Sequence, residues 1–360
     1  MKIGILTYYG VHNHGAVLQA NALKTVLEQK GHECGFLEFE RIYSNISQQQ
    51  AKKYKIGLGS IGFYAKYMME KGIGNILYNV SKKRTLRKFR NANIPMMGKY
   101  EEFTGDLAVI GSDEVFSLEI GVNPFLYGNE LKTKHIISYA GCFGPTTYEE
   151  VVKQGQQKMI SDGLHRMDAV SVRDQNSMDT VKKTAGIDAT LVCDPVILYG
   201  YEKEMQSFTP PMKDYILIYS YDKNLNDEAE YNHIKKYAEK HNLKIVSVGY
   251  YHKWCKSIDA SPFELLGWIK NANLVVTDTF HGSVMSIICN TPAVVKLRGN
   301  QNKLQFLLSE YGLLDRIILD FSEMESVADK SVDFANVNAA IQERRAASMK
   351  FLDDALAGCW

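Results

Sequence analysis

At 360 residues the chain is longer than a single hydrophobic core usually serves, so two domains are expected. A composition of 45% hydrophobic and 23% charged residues is that of an ordinary soluble globular protein, and no run approaches the ~18 apolar residues of a membrane-spanning helix. The net charge is only +1 and no nucleic-acid partner is expected, while the six scattered cysteines, with no CxxC pair, read as reduced thiols of a cytoplasmic protein.

Residues 2–8 read as a first strand, their apolar run being too short for a secretory signal. A helix follows over 16–30 and Gly31 ends it before a second strand at 35–39. Between this strand and the next lies a strongly basic stretch. Residues 51–100 hold twelve Lys and Arg against one acid, Glu70, a local charge of +11 that leaves −10 for the rest. Lys82, Lys83, Arg84, Arg87 and Lys88 lie there among Tyr64, Tyr67, Leu77 and Tyr78. Such a helix-prone, aromatic-rich segment suits an anionic membrane surface or an anionic substrate; a solvated hairpin packed on its domain is the plain alternative.

Short buried strands recur at 107–110, 135–139, 169–172 and 190–193, and the last runs into Asp194-Pro195. After a linker at 200–213, with Thr209-Pro-Pro211, come a strand at 215–219, a helix at 226–241 and a strand at 244–248. A helix at 262–271, a strand at 274–277, a helix at 282–290 and a strand ending at Lys296 complete a second unit. The helix at 337–357 is expected to reach back onto the first. Strand and helix alternate throughout, which predicts an α/β protein of two Rossmann-like domains with parallel sheets facing across a cleft. The expected boundaries are 1–200, with a basic helical insert at 45–100, then 213–330, then the helix at 335–360.

In such sheets, ligands bind where strands end and helices begin. Four junctions stand out. Asn13, His14 and Gly15 follow the first strand and offer an acceptor or anion site, without a GxGxxG or P-loop pattern. Ser112 and Asp113 follow the strand at 107–110 and serve either as acceptor contacts or as a helix cap. Arg173 follows the strand at 169–172 and suits a carboxylate or phosphate. The fourth junction, Val275-Val-Thr-Asp-Thr-Phe-His-Gly282, puts His281 at a helix amino end, beside a ready anion site. Read locally, His281 is equally a general acid–base or a capping and packing residue. Lys296 ends the next strand as a further cation. With no HExxH spacing and no DxD pair, no metal is expected.

Together these segments resemble the polysaccharide pyruvyl transferase family. The resemblance is carried by Asn13-His-Gly-Ala-Val-Leu-Gln-Ala20, Val109-Ile-Gly-Ser-Asp113, Ser138-Tyr-Ala-Gly-Cys-Phe-Gly144, Ser171-Val-Arg-Asp174, Asp194-Pro195, and Val276-Thr-Asp-Thr-Phe-His-Gly282 with Thr291-Pro292. It implies a glycosyltransferase-B-like fold and transfer of the enolpyruvyl-derived group of phosphoenolpyruvate onto two hydroxyls of a sugar. A cyclic ketal forms and phosphate departs, with no cofactor beyond the co-substrate. The family pattern places Arg173, His281 and Lys296 at the donor. Gly282, Ser283 and Arg298 are expected beside it, and Asp278 is expected either to orient His281 or accept a proton from the sugar, or else simply to cap the helix that begins at 280. Thr279 stands where some members carry arginine, and Arg298 is the expected replacement. The acceptor implied is a precursor of capsule or exopolysaccharide, carried on a polyprenyl diphosphate at the inner membrane face. The main rival is a nucleotide-sugar-dependent glycosyltransferase of the same architecture.

Overall fold

The computed structural model describes residues 1–40, 72–298 and 301–359, so the first part of the basic segment, 51–71, lies outside the described residues. In chain order the first domain comprises β1 (Lys2–Leu6), α1 (His14–Gln29), β2 (Glu33–Glu38), α2 (Ile73–Asn93), β3 (Met96–Lys99), β4 (Leu107–Ile110) and β5 (His135–Ser138). It continues through α3 (Tyr148–Lys153), α4 (Gln157–Leu164), β6 (Ser171–Val172), α5 (Gln175–Ala185), β7 (Thr190–Leu191) and α6 (Pro195–Tyr199). A short helix, α7 (Glu202–Gln206), interrupts the stretch expected to be a plain linker. The second domain holds β8 (Tyr215–Tyr219), α8 (Glu228–Lys240), β9 (Lys244–Val248), β10 (Lys256–Ile258), α9 (Pro262–Lys270), β11 (Leu274–Thr277) and α10 (Phe280–Cys289). It ends with β12 (Ala293–Lys296), α11 (Gln301–Glu310), β13 (Ile317–Ile318) and α12 (Met324–Ala328), and α13 (Phe334–Ala357) follows.

Both main sheets are parallel. The first has the order β3-β2-β1-β4-β5, and bridges from Ile137 to Ala169 and from Gly141 to Val172 attach the β6–β7 pair. The second has the order β10-β9-β8-β11-β12-β13, the doubly wound arrangement. Strands covered on both faces read as continuous apolar runs, and Leu107–Ile110 and Tyr215–Tyr219 are buried at every position. Strand order reverses between β1 and β4 and again between β8 and β11. These two switch points are where crevices open.

One apolar cluster runs through both domains, from Ile3, Leu18 and Leu23 to Leu217, Val275 and Val284, while each sheet's other face has its own cluster. Helix α1 packs on α6 and, across the junction, on α9 and α10. Helix α13 returns to the first domain: Cys193 N–H donates to Ser348 Oγ (2.8 Å), Arg345 Nε donates to the Ile197 carbonyl (2.6 Å), and Asp353 pairs with Lys30. Helix α2 belongs to the first domain by sequence yet packs on the second. The Tyr78 hydroxyl donates to the Ile258 carbonyl (3.1 Å), and Phe89 meets Phe263 edge to face at 4.8 Å. Among the described residues no helix is long and apolar enough to cross a membrane.

Candidate active site

The two switch points face one cavity of about 210 Å³. Tyr8 and Asn13 line it after β1, Asp113 and Glu114 after β4, and Arg173 after β6. The second domain adds Tyr219 and Tyr221 at the end of β8, Thr279, Phe280 and His281 at the start of α10, and Lys303 from α11. Two helix amino ends therefore open on the cavity, one from each domain. Asn13 caps α1, its Oδ1 accepting the Gly15 N–H at 2.9 Å. Thr279 caps α10, its Oγ1 accepting the Gly282 N–H at 2.9 Å. Asn13 Oδ1 also accepts from the Ala16 N–H at 3.4 Å, and both helix dipoles favour an anion here.

In the cavity wall Arg173 and His281 meet the buried Asp194 behind them. Asp194 caps α6 through Oδ1 on the Val196 N–H (2.9 Å), which leaves Oδ2 to accept from Arg173 Nη1 at 2.9 Å. The same Oδ2 is 3.9 Å from His281 Nε2. The guanidinium also lies 4.3 Å over the Phe280 ring and 3.7 Å from Asp113. Burial opposes its charge, but Cys142, Asp194, Asp113 and Asp174 more than compensate and hold its pKa above the usual value. Among the described residues neither Arg173 Nε nor His281 Nε2 has a hydrogen-bond partner, although both are buried. Such atoms are costly unless something else completes them.

Burial is also the main reason that the His281 pKa is pushed down to about 4; Arg173 and Lys303 lower it further, and Asp194 and Glu114 act the other way. The imidazole is therefore neutral near pH 7. Lys303 pairs with Glu114 and lies 5.8 Å from the Phe280 ring. Burial works against its charge too, and Glu114 holds the pKa above the ordinary lysine value.

Of the residues singled out in the sequence, the structure brings Asn13, Asp113, Arg173 and His281 into this cavity. Ser112 is fully buried behind it, its Oγ 3.4 Å from Arg173 Nη1. Gly15 sits against His281: a Cβ there would lie 2.2 Å from the histidine's Cβ and Cγ. His14 is not free for an acceptor. It is completely buried between the domains with Nε2 2.9 Å from the Ala260 carbonyl, and burial pushes its pKa down to about 3. Gly282 and Ser283 serve the cap of α10, and Ser283 Oγ donates to the Thr279 carbonyl (3.2 Å).

Asp278, Arg298 and Lys296 are placed differently from expectation. Asp278 faces away from His281 into a polar knot, accepting from Asn224 (2.7 Å) and from Arg298 Nε (2.8 Å). Arg298 is committed there, with its other end on Glu230 at 2.8 Å, so it does not replace the arginine absent at Thr279. Lys296 donates to the Leu319 carbonyl on the far face of the sheet, and the lysine in the cavity is Lys303. Asp194, Glu114, Phe280 and Lys303 were not picked out as site residues. Asp194-Pro195 was visible as a strand-to-helix junction, whereas nothing around Lys303 marks it. Among the described residues one group of potential metal ligands, His135, Asp168 and Cys359, occurs at the start of β5, the opposite end of that strand from the cavity.

The sequence profile of the polysaccharide pyruvyl transferase family matches residues 13–298, which takes in every cavity residue but Tyr8, Val11 and Lys303. The chain belongs to this family. No curated protein matches it in sequence. Solved structures that it resembles include a UDP-N-acetylglucosamine 2-epimerase from Listeria monocytogenes (TM-score 0.56, 11% identity, covering 98% of this chain and 95% of that one). Another is the MnaA–UDP complex of S. aureus (0.53, 11%, 98% and 95%), and a third is the glycotransferase of kitacinnamycin (0.51, 13%, 100% and 99%). At such identities the likeness is one of fold, and this pyruvyl transferase family member has the glycosyltransferase-B architecture.

Proposed function

We propose that this polysaccharide pyruvyl transferase uses phosphoenolpyruvate as donor and forms a cyclic ketal across two hydroxyls of a hexose. The observation that carries the reading is the pair of unpartnered buried atoms, Arg173 Nε and His281 Nε2, in a cavity that two helix amino ends and Lys303 make favourable to an anion. The donor's phosphate and carboxylate engage Arg173, Lys303 and the first-turn N–H groups, with Lys303 leaving Glu114 to do so. His281, neutral in the free enzyme, accepts the proton of the first hydroxyl as its oxygen bonds to the central carbon, and that proton goes to the methylene carbon. A bound dianion offsets Arg173 and Lys303, which eases the charging of His281 in this step. The second hydroxyl then adds to the same carbon, the carbon–phosphate oxygen bond breaks, and phosphate leaves with the second proton. Asp194 holds Arg173 and His281 in register, and Asp278 has no part. The proposed acceptor is a cell-surface polysaccharide precursor borne on a lipid diphosphate at the inner face of the membrane.

The test is phosphate release from phosphoenolpyruvate against a panel of galactoside and mannosaminide acceptors, with mass analysis of the product. His281→Ala is expected to lower kcat by about 10²–10⁴. Release at a near-wild-type rate by that variant sinks the assigned role. Saturable binding of UDP in place of phosphoenolpyruvate favours nucleotide-sugar glycosyl transfer instead.

A further inference from the structure

We propose that the outward face of α2 is a docking surface for an anionic phospholipid bilayer and sets the cavity beside the membrane. The inference rests on the functional reading above only in supposing that a lipid-borne acceptor is what the docking serves. Ile73, Leu77 and Val80 are 69%, 65% and 45% exposed. Arg84 and Arg87 continue the same spacing and are also exposed, with exposed Lys83 and Lys88 beside them. Steps of four and three residues keep such positions on one face of a helix. No acidic residue occurs between 72 and 100, so nothing on this helix neutralises the cations.

The opposite face is already used. Tyr78, Leu86 and Phe89 are buried, and Ser81 and Thr85 donate to Asp259 at 2.6 and 2.7 Å, which anchors the helix on the second domain. What is left outward is an apolar stripe continued by a basic one. A bilayer accommodates both, with aliphatic side chains at the acyl boundary and cations at lipid phosphates. A second copy of this chain is the wrong partner, because two such faces repel. The position also fits. Arg90 Nη1 donates to the Val11 carbonyl (3.2 Å), Lys82 lies 4.1 Å over Tyr250, and Tyr250 meets Tyr221 at 5.3 Å. Val11 and Tyr221 both line the cavity, so α2 runs along its edge.

Flotation of the full-length protein, without donor or acceptor, tests this on vesicles of phosphatidylcholine alone and of phosphatidylcholine with phosphatidylglycerol. Binding is expected only with the anionic lipid. Each basic side chain near such a surface adds roughly fivefold to partitioning, so Arg84→Glu with Arg87→Glu is expected to lower binding at least about 25-fold. Leu77→Asp is expected to lower it about tenfold or more through the lost apolar insertion. Both changes are at exposed positions, and circular dichroism verifies the fold. Absence of flotation, equal flotation on neutral vesicles, or full retention by both variants overturns the proposal. Flotation without phosphate release keeps the docking surface and strikes the pyruvyl-transfer reading; phosphate release without flotation strikes the docking surface alone.

Discussion

Lys296 and Lys303 show how much one residue's facing decides. Along β12 side chains alternate between the two faces of the sheet: Val294 joins the outer apolar cluster and Val295 the cluster shared by both domains. Lys296 therefore points to the outer side, where it meets the Leu319 carbonyl. The cavity is on the other side, and Lys303 reaches it from α11, whose Leu304, Leu307 and Leu308 pack into the shared cluster. A single charge-assisted contact is worth about 1.5–3 kcal/mol. Lys303→Ala is accordingly expected to raise the KM for phosphoenolpyruvate roughly tenfold or more, with Lys296→Ala within about twofold of wild type. Phosphate-release kinetics measure both, and the reverse order refutes the assignment. The strand end at 296 was legible in the sequence, but not which face it presents. Asp194 shows the same limit. Its role comes from Arg173 lying 2.9 Å away across the turn from β6, a contact that no local pattern encodes.

At the scale of elements the sequence was far more readable. Parallel strands buried on both faces must be apolar throughout, so β4, β8 and β11 were visible as unbroken runs. Helix α1 begins at His14 rather than 16 because Asn13 caps it, and a cap residue precedes the apolar periodicity that announces a helix. The meeting of α1 with α10 was not readable, because it depends on the approach of two domains. Gly15 is where that approach is closest. Gly15→Ala puts a methyl 2.2 Å from His281 Cβ and Cγ and 2.6 Å from Nδ1, so the imidazole or a helix must shift. Overpacking of this kind costs about 1–3 kcal/mol. A fall in kcat of at least about tenfold should accompany it, since acid–base groups need their geometry. Gly10→Ala is the control, because a Cβ there meets nothing within 4 Å. If Gly15→Ala matches that control in melting temperature and kcat, α1 does not position His281.

The whole molecule has two Rossmann-like domains but one shared apolar cluster, and His14 and His281 are buried at their junction. Separating the domains would expose that cluster, so unfolding is expected as one transition, with tryptophan fluorescence and far-ultraviolet circular dichroism coinciding. The two histidines give the transition a definite pH dependence. Their folded values are about 3 and about 4, against roughly 6.5 in an unfolded chain. Between these values the unfolded state binds protons that the native state refuses, so stability rises with pH across that window. Their full contribution is present above pH ~6.5 and is lost progressively as the pH falls toward 4. The melting temperature should then be nearly flat just above neutrality and decline on acidification below it. His14→Gln, which removes one of the two titrations, should flatten that decline. Two resolved transitions would show that the shared cluster does not couple the domains. A melting temperature that rises on acidification would show that these histidines are not held neutral at the junction.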